Sequence, residues 1–137
     1  IPPHVRAEIN KVIDKCLRTL TITEGVDYEV VVVDNGSSPE VVESLRQHRD
    51  EGRITTLVES PVNTWYVGGC NLGVAHADPA AEIVILCNSD VGFIHPEWLQ
   101  RFLAWMDGTA KYEPGVWDFY PTVPEPGPFD VLSTVSA

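Results

Sequence analysis

The chain has 137 residues, 44% of them apolar, which is enough for one domain with a real core and unlike a disordered segment. Only 9 basic residues face 20 acidic ones, for a formal net charge of −11. That balance disfavours binding to DNA or RNA and repels an anionic ligand unless a cation or helix N-termini offset it. No run approaches the roughly 18 apolar residues of a transmembrane segment, and the N-terminal stretch lacks a signal peptide's apolar core.

Val5, Ile9, Val12, Ile13, Cys16, Leu17 and Leu20 recur at helical spacing, with Arg6, Glu8, Lys11, Asp14 and Arg18 off the stripe. This predicts an amphipathic surface helix. Gly25 ends it, and residues 28–33 read as a β-branched strand running into Asp34-Asn35-Gly36-Ser37-Ser38. Ser37 or Ser38 is placed to cap a second helix, with Pro39 in its first turn and Val41, Val42 and Leu45 on its apolar face. Gly52 stops that helix, and residues 54–58 form a short strand. A glycine-bearing stretch, 63–73, leads into a third helix reaching about Ala77, closed by Asp78-Pro79.

Ile83-Val84-Ile85-Leu86-Cys87 then reads as a strand buried on both faces, ending at Asn88-Ser89-Asp90. Pro96 opens a last helix with Trp98, Leu99, Phe102, Leu103 and Met106 inward, and Gly108 ends it. Helices and strands alternate, which predicts a parallel, doubly wound α/β sheet with helices on both faces. The Pro-rich tail offers at most edge strands, at 116–120 and 129–135.

In such sheets ligands sit beyond the carboxyl ends of the strands. Two β-branched runs that each end in an aspartate therefore point to a site. Asp34 suits a nucleobase imide or a ribose hydroxyl. Asp90 suits a hard cation, because Mg²⁺ commonly takes one or two carboxylates plus substrate phosphates. Stretch 63–73 is neither GxGxxG nor a Walker loop, so P-loop chemistry is not expected. On local grounds Gly68, Gly69 and Gly73 serve close packing of helix on sheet. The three cysteines, Cys16, Cys70 and Cys87, form no CxxC pair and have no histidine at zinc spacing. They read as reduced thiols of a cytoplasmic protein's core.

Taken together, these residues resemble the nucleotide-binding half of a family 2 glycosyltransferase with the GT-A fold, in its rhamnosyltransferase-like branch. Residues 31–38 match a "VVDNGS" element. Asn63, Gly68, Gly69, Asn71 and Gly73 match an "NxGFAGGNNxG" element in which Trp65 stands for the usual glycine. Residues 86–91 resemble "LNPDV", this family's form of the DxD metal motif, and Pro96-Glu97-Trp98-Leu99 resembles the helix start that follows. Ile1-Pro2 is similar to the end of the family's first strand. On this resemblance the sequence would be incomplete at both ends. Residues 1–112 would form the donor-binding region, and 113–137 would lead toward an acceptor region that is mostly absent.

The resemblance implies a glycosyltransferase that moves a sugar from a UDP-, dTDP- or GDP-linked donor to an acceptor hydroxyl, inverting the anomeric centre with Mg²⁺ or Mn²⁺. It implies nucleotide-sugar contacts at Pro2, Asp34, Asn35, Asn63, Gly69, Asn71, Asn88 and Ser89, and a metal ligand at Asp90. The acceptor class, whether polysaccharide, lipid-linked or protein, stays open, and no catalytic base is identified. Two alternatives stand beside it: a non-catalytic nucleotide-sugar-binding module of the same fold, and a nucleotidyltransferase of related fold.

Overall fold

The computed structural model describes residues 2–107. Within them the order is α1 (Pro3–Leu20), β1 (Val31–Asn35), α2 (Pro39–Asp50), β2 (Thr56–Ser60), α3 (Trp65–Ala75) and α4 (Trp98–Met106). The end of the last helix at Gly108 and the two tail strands lie outside the described residues.

β1 and β2 pair in parallel, with Val32 opposite Leu57 and Val33 opposite Val58. Successive side chains of a strand point to opposite faces. Val32 and Leu57 pack with Ile13 and Leu17 of α1, and with Val41 and Leu45 of α2. The neighbouring Val33 meets α3 on the other face, where a Cβ on Gly73 would lie 3.4 Å from its Cγ2. The parallel pair is thus covered on both sides, as a parallel sheet requires.

β1 lies further along the chain than the composition predicts. Val30 closes the loop instead: its carbonyl accepts from the N–H groups of Thr55 and Thr56, and its own N–H donates to Thr55 Oγ1. Asp34 and Asn35 are therefore the last two rungs of the ladder, opposite Glu59 and Ser60, rather than residues beyond it. Ser38 does stand at the N-cap of α2, but its side chain makes no capping hydrogen bond.

The largest departure is at residues 83–86, where no strand forms among the described residues. Ile83 and Val84 are 44% and 47% exposed. A β-branched run favours the extended conformation, but a strand exists only where a neighbour takes its N–H and C=O groups. Among the described residues the sheet is the β1–β2 pair, and neither strand supplies that neighbour. One residue of the run is anchored. Ile85 packs with Val26, Tyr28 and the aromatic face of α4, around the buried Leu99 and Phe102. Trp98, expected inward, belongs to the same cluster, as does Trp105.

Candidate functional site

The end of β1 is held by its own side chains. Asp34 is 3% exposed, and its Oδ1 accepts the Ser37 N–H at 3.1 Å, which closes the turn into α2. Gly36 carries that turn at φ +80°, and a Cβ there would lie 3.1 Å from the backbone nitrogen of Asn63. The buried Asn35 spends its amide on the loop before α3. Its Oδ1 accepts from the Thr64 N–H at 2.7 Å and from the Thr64 hydroxyl at 2.8 Å, and its Nδ2 donates to the Trp65 carbonyl at 2.9 Å. Asn63 adds a bond within the loop, its Oδ1 accepting the Trp65 N–H at 2.8 Å. The glycine at 69 lets α3 come close, since a Cβ there would lie 3.2 Å from Asn35 Nδ2. Asn71 follows on the same helix. Asp34, Asn35, Asn63 and Gly69 are thereby gathered at one end of the sheet.

Trp65 bears the strain of this arrangement. It takes φ +60° at the start of α3, the left-handed region that suits glycine and not a bulky side chain. Its indole is 77% exposed, so packing supplies little to offset that cost.

Asn88, Ser89 and Asp90 form a second polar group, in a turn docked along the C-terminal half of α1. The Phe93 N–H donates to Thr19 Oγ1 at 3.0 Å, and Trp98 Nε1 donates to Thr23 Oγ1 at 2.7 Å. These bonds hold the segment after the tip against the end of α1 and the residues that follow it. The three residues rim a cleft of about 400 Å³ whose other wall is Val5, Glu8, Ile9, Val12 and Ile13 of α1. That wall is mostly apolar, so the polar chemistry of the cleft is concentrated on the 88–90 side and Glu8. Asp90 is exposed. Pro2 lies at the N-cap of α1, where its carbonyl accepts from Val5 and Arg6.

None of Asp34, Asn35, Asn63 or Gly69 borders this cleft. Among the described residues, no cluster of three or more His, Cys, Asp or Glu side chains is placed to hold a metal ion. A cation at Asp90 would need its remaining ligands from substrate phosphates and water, which is ordinary for Mg²⁺.

One buried polar network escapes sequence reasoning. His48 of α2 is 3% exposed and lies between Asp14 of α1 and Arg53. Arg53 Nε donates to His48 Nδ1 at 2.7 Å, and His48 Nε2 is 3.2 Å from Asp14 Oδ1. Arg18 Nε completes the chain, 2.9 Å from both Asp14 oxygens. Burial first, and then the Arg53 guanidinium, hold the imidazole below its ordinary pKa. The network ties α1 to α2.

Comparison with known families identifies the class of protein. The family model described as glycosyl transferase family 2 matches residues 3–124. The chain belongs to that family, and its fold is GT-A, the Rossmann-like α/β arrangement expected from the alternating elements. The family's activity is sugar transfer from a nucleotide-sugar donor to an acceptor. Searches of curated proteins and of solved structures returned no match. No helix of the described residues is long and apolar enough to cross a membrane.

Proposed function

We infer that this chain carries the donor-binding portion of a metal-dependent, inverting glycosyltransferase. Family membership across residues 3–124 is the observation that carries the reading. It is supported by two aspartate-bearing tips, one at the end of β1 and one at residues 88–90. In this reading Asp34 accepts from a nucleobase imide, and Asn35 acts by fixing the loop that bears Asn63 and the start of α3. Asn71 and Gly69 line the donor beside it, and Pro2 borders it at the start of α1. Asn88 and Ser89 face the ribose or diphosphate of a UDP-, dTDP- or GDP-sugar. Asp90 holds Mg²⁺ or Mn²⁺, which would offset the charge developing on the leaving nucleoside diphosphate. A cation also answers the electrostatic problem, because a chain of net charge −11 repels an anionic donor.

A cytoplasmic setting, where sugar nucleotides are made and thiols stay reduced, fits this chemistry. The test is nucleotide release from UDP-, dTDP- and GDP-sugars with Mn²⁺, with and without a panel of hydroxyl acceptors. Acceptor-stimulated release that disappears in Asp90→Ala is the expected result. Tight donor binding with no release from any donor would instead make the chain a non-catalytic module.

A further inference from the structure

Cys16 and Cys87 come from a helix and from the run before the 88–90 tip, with roughly 70 residues of chain between them. Both thiols point at one acceptor. Cys16 Sγ lies 3.7 Å and Cys87 Sγ 3.3 Å from the Asn88 carbonyl oxygen, which brings the two sulfurs to one place. Cys16 is buried and Cys87 half-buried. No disulfide joins the cysteines among the described residues.

We propose that Cys16 and Cys87 are a redox pair that closes into a disulfide by exchange with a small-molecule disulfide such as oxidised glutathione, cross-linking α1 to the root of the 88–90 tip. This goes beyond the glycosyltransferase reading and does not depend on it. In the first step the Cys16 thiolate attacks one glutathione sulfur, the glutathione S–S bond breaks, and one glutathione thiolate leaves and takes a proton. In the second, the deprotonated Cys87 attacks the sulfur of Cys16 and expels the other glutathione. Two protein thiols are oxidised and one glutathione disulfide is reduced to two thiols.

The neighbouring Cys87 thiol favours the thiolate at Cys16, and the Cys16 sulfur together with burial disfavours it at Cys87. Closure withdraws both S–H donors from the Asn88 carbonyl, so the redox state is registered at the tip itself. A pair of this kind suits a reducing compartment, where protein disulfides are transient and redox-sensing.

The test uses the Cys70→Ser chain, refolded from urea in a glutathione buffer so that burial does not limit access. The expected product has lost two hydrogens, has no titratable thiol, and links the tryptic peptide carrying Cys16 to that carrying Cys87. Its disulfide should form against glutathione at least about a hundredfold more favourably in the folded chain than in urea, since a folded juxtaposition is what closes so long a loop. Its thermal midpoint should rise by about 10 °C and fall back on adding a reductant. The chain with both Cys16→Ser and Cys70→Ser should take up one glutathione and never lose two hydrogens. Two free thiols, a persistent glutathione adduct, or equal closure in urea would overturn the proposal.

Discussion

Residues 31–35 and 83–87 begin as nearly the same sequence signal, a β-branched apolar run ending near an aspartate, and they fold differently. The first becomes β1, paired with β2, covered by α1 and α2 on one face and by α3 on the other. The second forms no strand among the described residues and leaves Ile83 and Val84 nearly half exposed. Composition supplies the preference for extended backbone, and a neighbour supplies the strand. The tips inherit the difference. Asp34 is buried and bonded into its turn, whereas Asp90 is exposed at the rim of a cleft.

Core truncation should break the comparison most sharply. Leu45→Ala, at a fully buried position under β1, should cost about 2–5 kcal/mol in urea denaturation. Val84→Ala should cost well under about 1 kcal/mol, since half its side chain already meets water. Equal losses would mean that residues 83–86 are packed as tightly as β1.

Asn35→Ala should rank next. It leaves the Thr64 N–H and the Trp65 carbonyl without their partner, at about 1–3 kcal/mol for each group left buried. Proteolysis within the 63–65 loop should rise in parallel. Unchanged stability and protection would show that the loop is held by other contacts.

His48 gives a pH signature confined to the α1–α2 side. Its folded pKa lies below the ordinary value of 6.5, so the unfolded chain takes up the proton first. The stabilisation is complete above pH 6.5 and is lost as the pH falls through that value toward the folded pKa. Arg53 opposes the protonated form and Asp14 favours it, with Arg18 competing for Asp14. Denaturation between pH 7.5 and 5.5 should show the loss, and His48→Gln should flatten it. An equally steep profile in that variant would assign the slope to other groups.

The smallest effect is expected at the strained turn. Trp65→Gly should stabilise the fold by about 0.5–1 kcal/mol, because glycine accepts φ +60° without steric cost. Trp65→Ala, which retains a Cβ, should gain less. Destabilisation by the glycine would show that the exposed indole makes contacts that outweigh its backbone strain.

Much of this was legible in the residues. The stripe from Val5 to Leu20 became α1, and Pro39 with Val41 and Leu45 became α2. Of Gly68, Gly69 and Gly73, read as letting a helix pack close to a sheet, the last two do so against β1, whereas Gly68 lies against the Thr64 side chain. The pairing of residues 83–86 was not legible, because periodicity records which side chains suit burial and not which backbone lies alongside. Cys16 read correctly as a core thiol, Cys87 is only half-buried, and their shared acceptor depends on how the 88–93 segment docks on α1. His48 had no local signal at all, since its partners Asp14 and Arg53 come from different parts of the chain.

In the proposed reading Asp90 supports a cation against a sugar-nucleotide diphosphate. Calorimetric titration of UDP-, dTDP- and GDP-sugars tests it most directly, with Mn²⁺ or with EDTA, on the native chain and on Asp90→Ala. One donor should bind with Mn²⁺ and lose at least about tenfold in affinity, roughly 1.4 kcal/mol, with EDTA or in the variant, while the variant's denaturation midpoint is unchanged. Donor binding that is indifferent to both the metal and Asp90 would contradict it.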